Sequence, residues 1–537
     1  MTYICKTAII ALGVDFMYPV VTENDKITVT ETYFEMRDGV KLYTRIAVPK
    51  GMDKCPVVFM RSPYEKALTE PFNPDEYDGD QFLNNGYAFI FQHVRGKGGS
   101  EGYCIPYKTE REDGLCCLEI IRTLPFYNGE IYLYGASYLA STHLSYLNPT
   151  PEDVKGACLL IQTDKNFIRI YRNGCNYKFS NLEWWLQMVN RRYPDCKIEA
   201  PVKRPYKDVI KRIAGEDIPE FTGTLLNTSY EGFWETAQNP AVAEHLDIPV
   251  LFVDGWFDFY LEGMFDMWKR IPEKTKEISS FIVGPWGHAY EICGDTNYPM
   301  KNGDIPQDFC VKWFDSVRKG TPFPYGKKGK VNYYSTGGDR WIEGNFPSVP
   351  QEMKRFYFNK KSLADTEQIT GKSSFTYNPD EPLDYYYYNC IRRAKPVDIC
   401  RGKMLSYESM PFEKDTDVYG SIRWHINVST DCEDTAFFIR IYLVEDGNAY
   451  NLTETITSLS HICPDYKAND ICTIDLNLPP CGFTVKKGAS IRVVISSDGG
   501  VYVPHANVKG HWAEVTETKI ARNTVYMKDS FIELPIN

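Results

Sequence analysis

The chain has 537 residues, 43% of them hydrophobic, with a formal net charge of −11. That length buries a large core in two or three domains, and the acidic balance argues against nucleic acid, whose binders carry a basic excess or patch. Arg191-Arg192 and Lys327-Lys328 are short enough to be solvated surface, and no run reaches the ~18 apolar residues of a transmembrane helix, so no membrane partner is expected.

From the N-terminus, Met1 to Val20 holds a short apolar stretch (Ala8 to Val14) closed by Asp15, with no clear small-residue cleavage site, so it does not read as a signal peptide. The sixteen cysteines are scattered, with no C-x-x-C and one adjacent pair, Cys116-Cys117. That pattern predicts free thiols in a reducing cytoplasm and no structural zinc. Residues 25–145 alternate β-like runs (Ile27–Tyr33, Lys41–Val48, Pro56–Met60, Ala88–Phe91, Ile131–Tyr134) with helix-compatible segments such as Glu110–Thr123. Alternation of this kind implies a mostly parallel sheet, with ligands beyond the carboxyl ends of its strands.

The run Ile131 to Ala140 is the most telling. A β-rich stretch meets Gly135-Ala136-Ser137-Tyr138 and helix-compatible residues follow at once, the pattern of a nucleophile elbow that leaves one serine hydroxyl at the strand end. The fifth position is Ala140, so G-x-S-x-G is met only in a relaxed form. Residues 146–240 break the rhythm with aromatic and charged residues at helical spacings, including Trp184, Trp185 and Trp234. The sheet pattern resumes with Pro249–Val253, which ends in Asp254-Gly255-Trp256-Phe257-Asp258, and with Ile278–Val283, which ends in Gly284-Pro285-Trp286-Gly287-His288. Asp308–Arg318 reads as an amphipathic helix and Val331–Tyr334 as a late strand. From about 350 helix patterns nearly vanish, and short β-runs (Arg355–Phe358, Phe375–Tyr377, Ser421–Val428, Phe437–Val444, Thr473–Leu478, Ser490–Ser496, Asn523–Met527) suggest a jelly-roll sandwich.

A serine nucleophile needs a base and a carboxylate to orient that base, in chain order serine, acid, histidine on this kind of sheet. Of eight histidines, His93, His143 and His245 precede any acid loop, and His425, His461, His505 and His511 fall in the β-rich tail. Ser137, Asp258 and His288 are the economical triad. Asp254 is the rival acid because it follows its strand directly, but an acid several residues farther out can fold back toward the histidine.

With these residues in view, the chain resembles the CocE/NonD-type serine hydrolases, the grouping of cocaine esterase and the X-prolyl dipeptidyl-peptidases. Met36–Leu42 resembles the opening hairpin of that family, Arg61-Ser62-Pro63-Tyr64 its R-[ST]-P-Y segment, and Val94–Gly102 its V-R-G-x-G-x-S-x-G run. The loops at 255–258 and 284–288 resemble its acid and histidine loops. Two departures are Ala140 for glycine and His93 where aspartate is common. The resemblance implies an α/β-hydrolase fold in two parts (1–145 and 241–348), a helical cap at 146–240 and a C-terminal jelly roll at 349–537. It also implies an oxyanion hole made of the Tyr64 hydroxyl and the N–H of Tyr138.

The expected activity is hydrolysis of small acyl esters, or amides, through an acyl-enzyme, with no cofactor and no metal; the partner is that small molecule, and a homo-oligomer is compatible. Trp184, Trp185, Phe259 and Tyr260 are the candidate substrate contacts. Alternatives are an X-Pro dipeptidyl-peptidase or α-amino-acid ester hydrolase, which must fix a substrate ammonium, and a non-catalytic carbohydrate- or protein-binding module. The ester hydrolases of amino acids carry carboxylates just after the catalytic acid, where this chain has Phe259, Tyr260 and Leu261 before Glu262. Asp164 and Glu183 are the other anions that the cap could bring to an amine.

Overall fold

The computed structural model describes residues 20–23, 25–64, 79–177, 181–197, 202–237, 242–288, 308–367, 370–382, 393–394 and 403–537. The N-terminal stretch discussed above lies, apart from Val20, outside them. The first sheet has eleven strands. Val20–Glu23, Ile27–Glu35 and Lys41–Pro49 form an antiparallel edge. Parallel neighbours follow in the spatial order Ala88–His93, Cys55–Ser62, Tyr127–Ala136, Val154–Leu160, Val250–Gly255, Ser280–Gly284 and Val331–Ser335. Arg340–Gly344 closes the far edge antiparallel.

Both faces of this sheet are covered, as parallel strands require. Cys55–Ser62, Ala88–His93 and Val250–Gly255 are buried at every position. Along Tyr127–Ala136 the two-residue period of a strand splits the side chains. Ile131 and Leu133 join the core beneath the helices Glu110–Arg122, Tyr138–Leu144 and Leu261–Arg270, while Tyr132 and Tyr134 join the core beneath Phe309–Arg318. The β-runs expected before residue 145 lie inside observed strands, and the helical segment expected at Glu110–Thr123 is the helix Glu110–Arg122 with Thr123 as its C-cap.

Between Val154–Leu160 and Val250–Gly255 come the helices Asn166–Ile170, Leu182–Val189, Val209–Ala214, Pro219–Leu226 and Phe233–Ala237 and a two-stranded hairpin, Tyr171–Arg172 with Cys175–Asn176. Trp185, Leu186, Ile210, Phe221 and Leu225 form a small core of their own there. Among the described residues from Glu352 onward the regular elements are strands apart from the one-turn helix Leu459–Ile462, and the last strand, Ala521–Ile536, pairs with Glu352–Asn359, Lys372–Tyr377 and Arg423–Thr430. Asn448–Ser458, a full strand, is not among the β-runs expected from the sequence.

The two bodies are joined at the backbone. Thr336 N–H donates to the Gly482 carbonyl at 3.1 Å and Thr484 N–H to the Thr336 carbonyl at 2.8 Å. The Trp256 ring lies so close to Gly482 that a Cβ there would come within 2.6 Å of it. The described cysteines are free thiols. Among the described residues no helix is long and apolar enough to cross a membrane.

Two buried imidazoles make the fold acid-labile. Burial pushes His93 down to about 4 and His143 to about 3, the latter between the Tyr146 hydroxyl at 2.5 Å and the Tyr134 carbonyl at 3.2 Å. The unfolded chain protonates both below about pH 6.5 and the native fold does not, so stability is full above that pH and falls as pH drops toward about 4. Urea titrations should show a slope approaching two protons, ~2.7 kcal/mol per pH unit, near pH 5. A flat stability profile from about pH 7 to about 5 would show that both rings are protonated in place.

Candidate active site

Ser137 joins the strand Tyr127–Ala136 to the helix Tyr138–Leu144 with φ 55° and ψ −128°. Residues with a Cβ rarely adopt this backbone, and it persists only where the surroundings hold it. Here Ser137 N–H donates to the Leu160 carbonyl at 2.9 Å, and its own carbonyl accepts from Gln162 Nε2 at 3.0 Å. A Cβ on Gly135 would lie 2.5 Å from the Leu139 carbonyl carbon, so strand and helix touch only because that residue is glycine. Ala140 is fully buried, its methyl absorbed into the core.

The acid and histidine loops leave neighbouring parallel strands and are clamped together. Trp256 N–H donates to the Gly284 carbonyl at 2.9 Å and Phe257 N–H to the Trp286 carbonyl at 3.1 Å. A Cβ on Gly255 would fall 2.0 Å from the Trp286 carbonyl oxygen. His288 Nδ1 then lies 2.7 Å from Asp258 Oδ2, and Nε2 lies 2.9 Å from Ser137 Oγ. The other Asp258 oxygen accepts from Tyr260 N–H at 2.7 Å, so both are occupied. Phe259 stacks on the His288 ring at 4.4 Å and Tyr260 lies 5.5 Å from it. Asp254 makes no hydrogen bond to His288. It is fully buried, takes Gly255 N–H at 2.7 Å, and burial beside the Asp258 charge pushes its pKa well above the carboxylate range.

The Tyr64 hydroxyl is hydrogen-bonded to Ser137 and lies 3.4 Å from Trp184 Nε1, and burial raises its pKa, so it keeps its proton. The N–H of Tyr138 opens the helix after the serine, where first-turn donors have no intrahelical acceptor. The Tyr138 side chain is anchored below, donating to Glu110 Oε1 at 2.9 Å and accepting from Tyr107 N–H at 3.0 Å. Arg61 Nη1 meets Glu110 Oε2 at 3.0 Å, in a place where the Arg61 side chain is 0% exposed. Trp184 leans on Tyr138 at 5.2 Å and points its Nε1 at the Tyr64 hydroxyl. Trp185 does not: it is buried against Phe221 in the helical core, away from the cleft.

Several residues around the serine carried no motif. Gln162 and Arg169 follow the strand Val154–Leu160, and Tyr107 and Glu110 follow the V-R-G run. Gln162 lies two residues past its strand end, where ligand chemistry collects in open parallel sheets; Arg169, Tyr107 and Glu110 lie farther from a strand end and had no such signal. Among the described residues no group of three metal-binding side chains comes together.

A family model described as X-Pro dipeptidyl-peptidase (S15 family) matches residues 38–290, and one described as the X-Pro dipeptidyl-peptidase C-terminal non-catalytic domain matches residues 326–531. The chain belongs to this family of serine hydrolases. Cocaine esterase of Rhodococcus sp. (strain MB1 Bresler) is 21% identical over 479 residues, 79% of this chain and 82% of that protein. An aminopeptidase from a marine sediment Thaumarchaeota archaeon shares the fold with a TM-score of 0.81 at 20% identity, covering 98% of this chain and 99% of its own. An α-amino-acid ester hydrolase does so with a TM-score of 0.80 at 19% identity, covering 97% and 98%. The S15 family makes the protein a hydrolase, and its C-terminal domain is the all-β body described above.

The buried pair beneath this S15 site should be costly to break. Glu110→Ala strands the Arg61 guanidinium and should destabilise the fold by ~3–5 kcal/mol in urea unfolding. A loss under about 1 kcal/mol would mean that the charge is compensated elsewhere.

Proposed function

We propose that the protein hydrolyses small acyl esters, with Ser137 as nucleophile, His288 as base and then acid, and Asp258 orienting the imidazole. The observation that carries this reading is the unbroken hydrogen-bonded chain Ser137 Oγ to His288 to Asp258, at 2.9 and 2.7 Å. With Nδ1–H donated to Asp258, Nε2 is left to accept the serine proton as Oγ attacks the acyl carbon. His288 then protonates the leaving group, and water attacking the acyl-enzyme gives its proton to Nε2. Tyr64 and the N–H of Tyr138 are the donors for the tetrahedral oxyanion. The aromatic stack of Phe259 on His288 holds the ring in plane without competing for either nitrogen.

The second reading, an enzyme that fixes a substrate ammonium, needs a carboxylate at the acyl site. Asp164 is fully buried and spent on Arg270 at 2.5 Å and on Val242 N–H at 2.8 Å. Glu262 is paired with Arg172, and Glu183 is exposed. Neutral acyl groups are therefore favoured over α-amino acyl groups, by at least about tenfold in kcat/KM.

A fluorophosphonate probe should label the wild type and not Ser137→Ala, and that variant should lose turnover by on the order of 10⁶ with its melting behaviour nearly intact. A variant that keeps a tenth of the activity would overturn the serine assignment. Tyr64→Phe should lower turnover ~10²–10³-fold with a smaller effect on KM; unchanged turnover would place the donor elsewhere.

A further inference from the structure

We propose that Arg169 receives a carboxylate carried by the substrate, an inference that rests on the reading of Ser137 as nucleophile. Arg169 lies on Asn166–Ile170, just past the end of the strand Val154–Leu160, and is 5% exposed. Its Nε and Nη1 are buried with no hydrogen-bond acceptor, and among the described residues no carboxylate pairs with it. Its guanidinium lies 5.5 Å from the Phe259 ring and 5.2 Å from the Tyr260 ring, the two rings that flank His288. Burial raises the pKa of the Tyr64, Tyr107 and Tyr260 hydroxyls, and the Arg169 charge offsets part of that rise, which places it among the residues around the serine.

A desolvated guanidinium with unspent donors is costly, and contact with aromatic faces returns only ~2 kcal/mol or somewhat more. The nearby arginines do not share this state. Arg172 pairs with Glu262, Arg440 with Glu454 and Arg270 with Asp164. Arg169 and Arg172 face a cavity of about 90 Å³ beside the acid loop, which Phe259, Tyr502 and Asn451 also line. Asn451 Oδ1 is buried there without a partner. One turn before Arg169 on the same helix face, Asn166 has both amide atoms buried and unpartnered. A polar pocket with one unmatched positive charge suits a monoanion. A phosphate dianion would face one open cation with Asp258, Glu262 and Glu454 close by. A carboxylate matches the planar guanidinium and balances its charge. Electrostatics then ranks substrates: a carboxylate first, a neutral group next, an ammonium last.

The test compares matched esters on the wild-type protein. In one arm the carboxylate is on the acyl part, monophenyl glutarate against phenyl valerate. In the other it is on the leaving part, the butyrate ester of 3-hydroxybenzoate against phenyl butyrate. One arm should favour the charged ester by at least about tenfold in kcat/KM, and the preference should collapse in Arg169→Met and persist in part in Arg169→Lys. Free glutarate should raise the melting temperature of Ser137→Ala, and should not raise that of the Ser137→Ala, Arg169→Met double variant. If Arg169→Met does not fold, the wild-type ratios and the glutarate shift decide. Equal rates in both arms with no glutarate shift, in a protein that the fluorophosphonate labels, overturn the carboxylate proposal and leave the hydrolase reading standing. Absent labelling overturns the hydrolase reading, and the glutarate shift then judges Arg169 independently.

Discussion

The arrangement depends on one backbone conformation, that of Ser137 at φ 55°. A non-glycine residue there costs of order 1–3 kcal/mol, so the conformation must be imposed from outside. Three neighbours impose it: the next strand takes the serine N–H at Leu160, Gln162 takes the carbonyl, and Gly135 lets the following helix lie directly on the strand. The reward is positional. The hydroxyl stands at the carboxyl end of a central strand, where the Ser137, Asp258 and His288 loops converge.

Polarity around that serine is graded by burial. Asp254 ends its strand and Asp258 lies four residues on: burial beside the Asp258 charge pushes the Asp254 pKa well above the carboxylate range, while Asp258 gives one oxygen to His288 and the other to a backbone N–H. Of the two carboxyls, only Asp258 meets the imidazole. Beneath the elbow, Glu110 and Arg61 hold the Tyr138 hydroxyl from inside the protein, so the residue that follows the serine is fixed at both its backbone and its side chain.

The C-terminal body is part of the site's walls. Arg172, beside the acid loop, reaches the Tyr502 hydroxyl at 3.0 Å, and Tyr177 bridges to Tyr502 through the backbone. The cavity at Arg169 therefore has one wall from each body. The β-rich tail thus walls this cavity, while loops of the parallel sheet carry Ser137, Asp258 and His288.

Much of this was legible in the sequence because it is local. The elbow is a turn that needs small residues at fixed offsets, so Gly135, Ser137 and the following helix announce themselves. The strands of the parallel sheet are continuous apolar runs, and the change from helix-bearing to strand-only texture near 350 marks the second body. What the sequence could not determine depends on contacts between distant segments. The sequence favoured Asp258 over Asp254 because an acid farther out can fold back, but the contact with His288 itself is set by the clamp between the two loops. Trp184 and Trp185 are adjacent, and only the docking of their helix sends one toward Tyr64 and the other into the core. Arg169 is one arginine among many by sequence; it becomes the unmatched charge only when folding has paired Arg172, Arg270 and Arg440 with carboxylates from elsewhere in the chain. Local steric demand is written in neighbouring residues, whereas charge balance is a property of the assembled interior.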